Sequence, residues 1–303
     1  MKITICIPTF NRDTRLLVCL QSLEAATCLL TTPIEILVSD NASSDRTFEI
    51  LQDWHFSNTA VTFNFHRNLV NVGGYENIKV LINAAQGEYL LWCTDDDFLL
   101  PDSIKNILTM LEMHSPDYAK YALISYLEQS KIAYFYGGKS DFISDGSDLK
   151  DFVEIYRYSH VLTGTLIKRS ICRFTLVETT PNIYPSAVWA VLGAKNAHYR
   201  STPIAIHIWE NPLFWEMDVD LSSESAKQNH LDRDFQLALK NSPVSFIDST
   251  NRKVLPKWLL HQYGEIEQSL EADFLYFGLL DRQSAKVSRN ARRFIKKLRS
   301  ILT

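Results

Sequence analysis

The sequence predicts an α/β protein built on a mixed, mostly parallel sheet flanked by helices. Three observations predict it. Short β-rich apolar runs alternate with segments whose apolar residues recur at helical spacing, the pattern of successive right-handed strand–helix–strand units. The first strand-like runs are apolar almost throughout, as strands buried on both faces are. Polar residues gather where those runs end, the edge at which open α/β sheets bind ligands. At 303 residues, 46% of them hydrophobic, the chain is long enough to bury a sizeable core.

Taken in order, Ile3–Thr9 (ITICIPT) is the first strand. Behind it Leu16, Leu20 and Leu23, with Leu17 beside them, recur at helical spacing, and Asp13 reads as the N-cap. Ile34–Asp40 (IEILVSD) is the second strand, and SSDRTFEILQDW opens the second helix with Ser and Asp at its start. Val61–Asn68 is the third strand. Ile78, Leu81, Ile82 and Ala85 mark the third helix, with Gly87 where a left-handed C-terminal residue belongs. EYLLWCT is the fourth strand, and Pro101 opens a helix with Ile104, Ile107, Leu108 and Leu111 on one face.

From about residue 116 the pattern loosens. YALISYL and KIAYFYGG read as strands of a hairpin or meander, DLKDFVEIYRY as a helix, and VLTGTLIKR as a strand interrupted by Gly164. YPSAVWAVLGAKNA reads as helical, and PIAIHIWENPLFWEMD as a strand running into an aromatic-rich loop. This organisation divides the chain into a domain over 1–220, with halves 1–115 and 116–220, and a mainly helical C-terminal extension over 221–303.

A net charge of −4 gives no reason to expect nucleic acid as a partner. The cysteines, Cys6, Cys19, Cys28, Cys93 and Cys172, form no C-x-x-C pair and read as small buried residues in a reducing compartment. The N-terminal apolar run ends at Pro8, and no apolar run reaches the roughly 20 residues that span a bilayer, so the expected location is cytoplasmic. The last segment, AKVSRNARRFIKKLRSILT, is basic and has an apolar helical stripe. Two readings stand for 285–303: contact with the inner-leaflet membrane surface on the cytoplasmic face, or a helix docked on its own domain with a solvated basic face.

The chemistry concentrates in LLWCTDDDFLL, where an apolar strand runs into Asp95, Asp96 and Asp97 and at once returns to Phe98. Half-buried like charges raise one another's pKa or require a cation. Hard cations such as Mg²⁺ or Mn²⁺ take one or two carboxylates together with phosphate oxygens, so the trio can divide between metal and ligand. A solvated acidic turn is the alternative. Asp40 at the second strand's end either accepts hydrogen bonds from a nucleoside or, with Asp45, caps the next helix. NVGG (Asn71–Gly74) either brings backbone close to a phosphate, through Asn71 and Gly73, or is a plain turn.

Together ICIPTFNR, ILVSDNASSDRT, NVGG and YLLWCTDDDFLLPDS resemble, in order and spacing, family 2 glycosyltransferases of the Rossmann-like GT-A fold. The resemblance covers roughly residues 1–115, and the chain's length is similar to that of bacterial transferases that build O-antigen or capsule. It implies that Pro8, Thr9, Asn11, Arg12 and Asp40 line the nucleotide, and that Asp95 and Asp96 reach ribose and diphosphate. It implies Asp97 as metal ligand, with Asp95 and His207 near the same Mg²⁺ or Mn²⁺. The implied reaction is an inverting transfer of sugar from a nucleotide-diphosphate donor to a glycan or lipid-linked acceptor. Its base must lie within hydrogen-bond reach of the acceptor hydroxyl. Many relatives carry a Glu-Asp pair where this chain has YPSAVWAVLGAK, so the base falls to another acid: Glu178 and Glu210 are the candidates, ahead of Glu216 and Asp218. Trp209, Phe214 and Trp215 offer aromatic faces to a sugar ring or to the core, and Gly164 and Thr165 offer backbone room beside the donor sugar. A sugar-nucleotide nucleotidyltransferase and an inactive nucleotide-sugar-binding module remain the alternatives.

Overall fold

The structure is a computed structural model that describes residues 1–127, 132–137, 140–146, 155, 158–159, 161–173 and 185–209. The helix expected in DLKDFVEIYRY falls mostly outside these residues. The loop after Trp209 and the extension over 221–303 fall wholly outside them.

The strands are β1 (Ile3–Thr9), β2 (Ile34–Asp40), β3 (Val61–Arg67), β4 (Tyr89–Trp92) and β5 (Phe98–Leu99), then β6 (Tyr118–Leu127), β7 (Ile132–Tyr136), β8 (Phe142–Ser144), β9 (Thr165–Lys168) and β10 (Ala197–Trp209). Four helices alternate with the first of them: α1 (Asp13–Thr27), α2 (Thr47–Asp53), α3 (Gly74–Ala84) and α4 (Ser103–Met113). Among the described residues the strands form one sheet in the order β3-β2-β1-β4-β9-β6-β10-β5, with β7 beside β6 and β8 beside β10. β3, β2, β1 and β4 are parallel. β9 runs antiparallel to both β4 and β6, β10 is parallel to β6, and β5 is antiparallel to β10.

The parallel half follows from its sequence. Ile3, Ile5, Ile7, Ile34, Ile36, Val38 and Leu90 are fully buried, since helices cover both faces of such a sheet. α1 turns Leu16, Cys19, Leu20 and Leu23 inward, and α3 turns Ile78, Leu81 and Ile82. Parallel register puts Thr9 beside Asp40 and Asp40 beside Arg67, so three strands end level at one edge.

Two local expectations change. Asp13 is the first residue of α1 rather than its cap; Arg12 holds the N-cap position without a side-chain cap bond. α3 ends at Ala84, and Gly87 serves close approach, because a Cβ there would stand 2.4 Å from the Thr4 backbone nitrogen. The Gly87 amide donates to Thr4 Oγ1 at 2.8 Å, fastening the chain to β1 as it enters β4.

In the other half, β6 and β7 form the expected hairpin. The helix in YPSAVWAVLGAKNA is Pro185–Leu192, and it stacks Trp189 on Trp92 of β4 with ring centroids 5.1 Å apart. β10 begins six residues before the Pro203 at which the sequence pattern starts. Its register against β6 shifts between Arg200 and Ala205, where Pro203 lacks the amide a regular ladder requires. After that shift β10 pairs Ile206 with Phe98, which carries His207 to the acidic run.

Candidate active site

Two polar constellations stand on the carboxyl edge of the parallel strands. The first surrounds Asp40. Its Oδ1 accepts the Ser43 amide at 3.0 Å, while Arg67 Nε lies 3.4 Å from Oδ2. That second contact is an ion pair without a hydrogen bond, which leaves Oδ2 a buried acceptor. Arg67 is held over the Phe48 ring at 4.4 Å and donates to the Ser43 carbonyl at 2.8 Å. Asn11 adopts a left-handed φ of 52°. That turn lets its amide donate to Ser43 Oγ at 2.8 Å and its Oδ1 accept the Ser44 amide at 2.8 Å. The Arg12 amide donates to Thr47 Oγ1 at 3.2 Å, so the ITICIPTFNR and SDNASSDRT segments are stitched together by their own polar groups.

An asparagine relay joins this constellation to α3. Asn41 Oδ1 accepts Asn68 Nδ2 and the Val72 amide, both at 3.0 Å, and its Nδ2 donates to Asn71 Oδ1 at 2.7 Å. Asn77 Oδ1 accepts the Ser39 hydroxyl at 2.7 Å and Asn68 Nδ2 at 3.0 Å. Asn71 Oδ1 also accepts the Gly73 amide at 2.8 Å, which ties the NVGG turn to the relay. Gly73 has φ +84° and nothing within 4 Å of its missing Cβ; backbone conformation, not packing, asks for glycine there. Buried amides cost little when every donor and acceptor is met, as nearly all are here.

The second constellation is the acidic run. Asp95 and Asp97 are buried and Asp96 is partly buried. Burial and the neighbouring Asp96 and Asp97 push the Asp95 carboxyl up to about 8, against the pull of Thr9 and Arg12. Asp96 is raised by burial and by Asp97, with His207, Thr94 and Arg12 opposing. Asp97 is bonded on both oxygens: His207 Nδ1 lies 2.8 and 2.9 Å from Oδ1 and Oδ2, and the Thr94 hydroxyl donates to Oδ2 at 2.9 Å. Burial alone would lower the His207 pKa, but the Asp97 charge and hydrogen bond, together with Asp96, raise it. Above Thr94, Thr163 Oγ1 accepts the Thr94 amide at 2.9 Å.

His207 and the trio are therefore brought together across 110 residues. Among the described residues no group of three His, Cys, Asp or Glu side chains stands in metal-holding geometry. The trio nevertheless fits a divalent cation, because adjacent buried carboxylates with raised pKa values are short of positive charge. Glu178, Glu210, Phe214, Trp215, Glu216 and Asp218 lie outside the described residues, as does the Trp209 side chain. The sequence reading passed over Thr94, Thr163 and Asn77. Asn77 alone left a signal, as a polar residue beside the apolar stripe of α3.

Comparison with known proteins places this architecture. The model of the family described as Glycosyl transferase family 2 matches residues 4–162, more than half of the 303-residue chain. Over 118 residues the chain is 35% identical to the abequosyltransferase RfbV of Salmonella typhimurium, a match covering 39% of this chain and 35% of that protein. It is 26% identical over 117 residues to the poly(ribitol-phosphate) beta-N-acetylglucosaminyltransferase TarS of Staphylococcus aureus, covering 39% of this chain and 20% of TarS. These matches thus span about a third or less of the curated relatives' lengths. The structure of S. aureus TarS 1–349 in complex with UDP-GlcNAc superposes with a TM-score of 0.70 at 14% identity, over 92% of this chain and 77% of that one. The mannosyltransferase PcManGT of Pyrobaculum calidifontis, in complex with GDP-Man and Mn²⁺, gives 0.53 at 13% identity, over 99% and 80%. The open, largely parallel sheet is thus the GT-A arrangement that the strand-end motifs implied, and the chain belongs to glycosyl transferase family 2.

Proposed function

We propose that the protein transfers a sugar, with inversion, from a nucleoside-diphosphate donor to a glycan or lipid-linked acceptor in bacterial surface polysaccharide synthesis. The supporting observation is the placement of the two constellations. A hydrogen-bonded constellation at Asp40 and a carboxylate trio at Asp95–Asp97, with the Asp95 and Asp96 pKa values raised, share one sheet edge on either side of β1. A nucleoside diphosphate accompanied by a divalent cation suits such a pair: the nucleoside offers N–H and hydroxyl donors to Asp40, and the cation would offset the repulsion between carboxylates and diphosphate. The proteins RfbV and TarS, and the donors held by TarS and PcManGT, agree with this reading.

In this reading Pro8, Thr9, Asn11, Arg12 and Asp40 line the nucleoside. Movement of the exposed Arg67 side chain opens Asp40 Oδ2 to a base N–H or a hydroxyl. Asn71 and Gly73 shape the turn beside it. Asp95 and Asp96 face ribose and diphosphate, while Asp97, Asp95 and His207 would hold Mg²⁺ or Mn²⁺. That ion supplies charge neutralisation on the departing diphosphate. Asp97 is already oriented by His207 and Thr94. Glu210, the next residue after β10, and Glu178 are the acids proposed to take the acceptor proton. No helix among the described residues is long and apolar enough to cross a membrane. We place the protein on the cytoplasmic side, with 285–303 meeting the inner-leaflet surface beside a lipid-linked acceptor. The catalytic domain is proposed to end near residue 220.

Calorimetric titration of UDP, CDP, GDP and dTDP with and without Mn²⁺ tests the reading. At least one should bind, more tightly with the ion, and the matching nucleotide sugar should release nucleoside diphosphate. Indifference to all four, or release of pyrophosphate from a nucleoside triphosphate and a sugar phosphate, would overturn it.

A further inference from the structure

Lys120 is the third residue of β6, paired with Thr165 of β9 on one side and Tyr199 of β10 on the other, and is fully buried. Lysine is almost never fully buried unless paired, and an apolar side chain of similar length fills a core position without desolvating a charge. The Lys120 ammonium meets neutral oxygens. Its Nζ lies 2.5 Å from the Val161 carbonyl, 2.7 Å from the Thr163 carbonyl and 3.2 Å from Thr165 Oγ1, three acceptors for three N–H donors.

All three acceptors belong to one short segment, and that segment abuts the end of β4 just before the aspartates. The Gly164 amide donates to the Trp92 carbonyl at 3.1 Å, and its own carbonyl accepts the Tyr121 amide at 2.9 Å. Gly164 needs its φ of +79° for this bend, where a Cβ would stand 3.0 Å from Leu123 Cδ2 and 3.1 Å from the Tyr121 carbonyl oxygen. Thr163 then reaches Thr94. Its Oγ1 accepts the Thr94 amide at 2.9 Å and lies 3.1 Å from Thr94 Oγ1. Since the Thr94 hydroxyl gives its proton to Asp97 Oδ2 at 2.9 Å, the Thr163 proton goes to Thr94 Oγ1. Every donor in the sequence Lys120, Thr163, Thr94, Asp97 is thereby assigned a direction.

We propose that Lys120 is a positioning residue: by fastening the Val161–Thr165 segment it fixes Thr163, and through Thr163 and Thr94 it sets the Asp97 carboxylate. The consequence for metal binding rests on the function proposed above; the coupling itself does not. Burial brings the lysine pKa down to about 7, with the Asp97 charge opposing.

The experiment compares Lys120→Met, Thr163→Val, their double variant and Thr163→Ser, each first shown to be folded by circular dichroism. The ring ¹⁵N resonances of His207, read by NMR at fixed pH without metal, report the Asp97 contact; Mn²⁺ affinity is read separately from the paramagnetic resonance of the free ion. Lys120→Met and Thr163→Val should both shift the His207 resonances and weaken Mn²⁺ binding about 5- to 10-fold. The double variant should be no worse than the poorer single one, and Thr163→Ser should behave as wild type. Unchanged His207 resonances in Thr163→Val, or tighter Mn²⁺ binding in Lys120→Met, as removal of a mere positive charge would give, overturns the proposal. If Lys120→Met does not fold, Thr163→Val, Thr94→Val and their double decide it: additive losses count against the relay, non-additive ones support it. Wild-type protein that ignores Mn²⁺ counts against the metal reading alone, because the His207 resonances still report the coupling.

Discussion

Asp40 and the Asp95–Asp97 run stand on the same edge, at the ends of the two strands that flank β1, and they handle negative charge in opposite ways. Around Asp40 one carboxylate meets a backbone amide and a guanidinium, and the asparagine relay nearby closes on itself. Around the trio, His207 bonds Asp97, while burial and mutual repulsion outweigh the pull of Arg12 on Asp95 and Asp96, and Asp95 is left with a pKa of about 8. The first site draws its partners from residues within 1–77, leaving Asp40 Oδ2 with an ion pair but no hydrogen bond. The second borrows its partners from residues 163 and 207 and is still short of positive charge. The first constellation keeps one buried acceptor, Asp40 Oδ2, to orient a ligand; the second, with its raised carboxylate pKa values, gives a driving force for binding a cation and its anion.

Removing the carboxylate that His207 and Thr94 orient should have the largest effect. Asp97→Ala is expected to reduce donor turnover by about 10²- to 10³-fold with the melting temperature nearly kept; near-normal turnover in a folded variant would erase the functional contrast between the sites. Asp40→Ala should weaken nucleoside-diphosphate binding by about 10- to 100-fold, measured by calorimetry, because it removes a charge-assisted acceptor. Asn41→Ala should cost about 1–3 kcal/mol of stability in denaturant unfolding, since it orphans Asn68 and the Val72 amide. If it costs nothing, the relay is not what holds Asn68 and the Val72 turn in place.

The smallest expected effect is a pH dependence. Asp95 and Asp96 keep protons in the folded protein that the unfolded chain would release. The Asp95 contribution to stability is therefore complete below the ordinary carboxylate range, about 3.9, and lost as pH rises through about 8, and Asp96, also raised, adds a loss of the same sign. His207, also raised, adds a loss of the same sign as it deprotonates. The metal-free melting temperature should fall by a few degrees between about pH 5 and about pH 9, and less so in Asp95→Asn or with Mn²⁺ present. A flat metal-free profile would mean that the trio is already balanced.

Legibility followed the same divide. β1 and β2 match their expected spans residue for residue, because both faces of a parallel strand are covered and the apolar run itself marks the element. The strand-end clustering of Thr9, Asp40, Arg67 and Asp95–Asp97 was legible for the same reason. Asp13 and Gly87 were misplaced locally, since an N-cap and a left-handed C-cap share their residue types with helix first turns and close backbone contacts. β10 was read too short, because Pro203 breaks the apolar pattern inside a strand whose bulge absorbs it.

By itself the sequence determined the parallel half and the three carboxylates at its edge, because strand periodicity and turn chemistry act over a few residues. The partners of those carboxylates were decided only by tertiary structure. The antiparallel pairing of β5 with β10 sets His207 against Asp97, and the fold of the 161–165 segment over β4 sets Thr163 against Thr94. Each is a contact across 69 to 110 residues, fixed by register and sheet order rather than by any local preference of the chain.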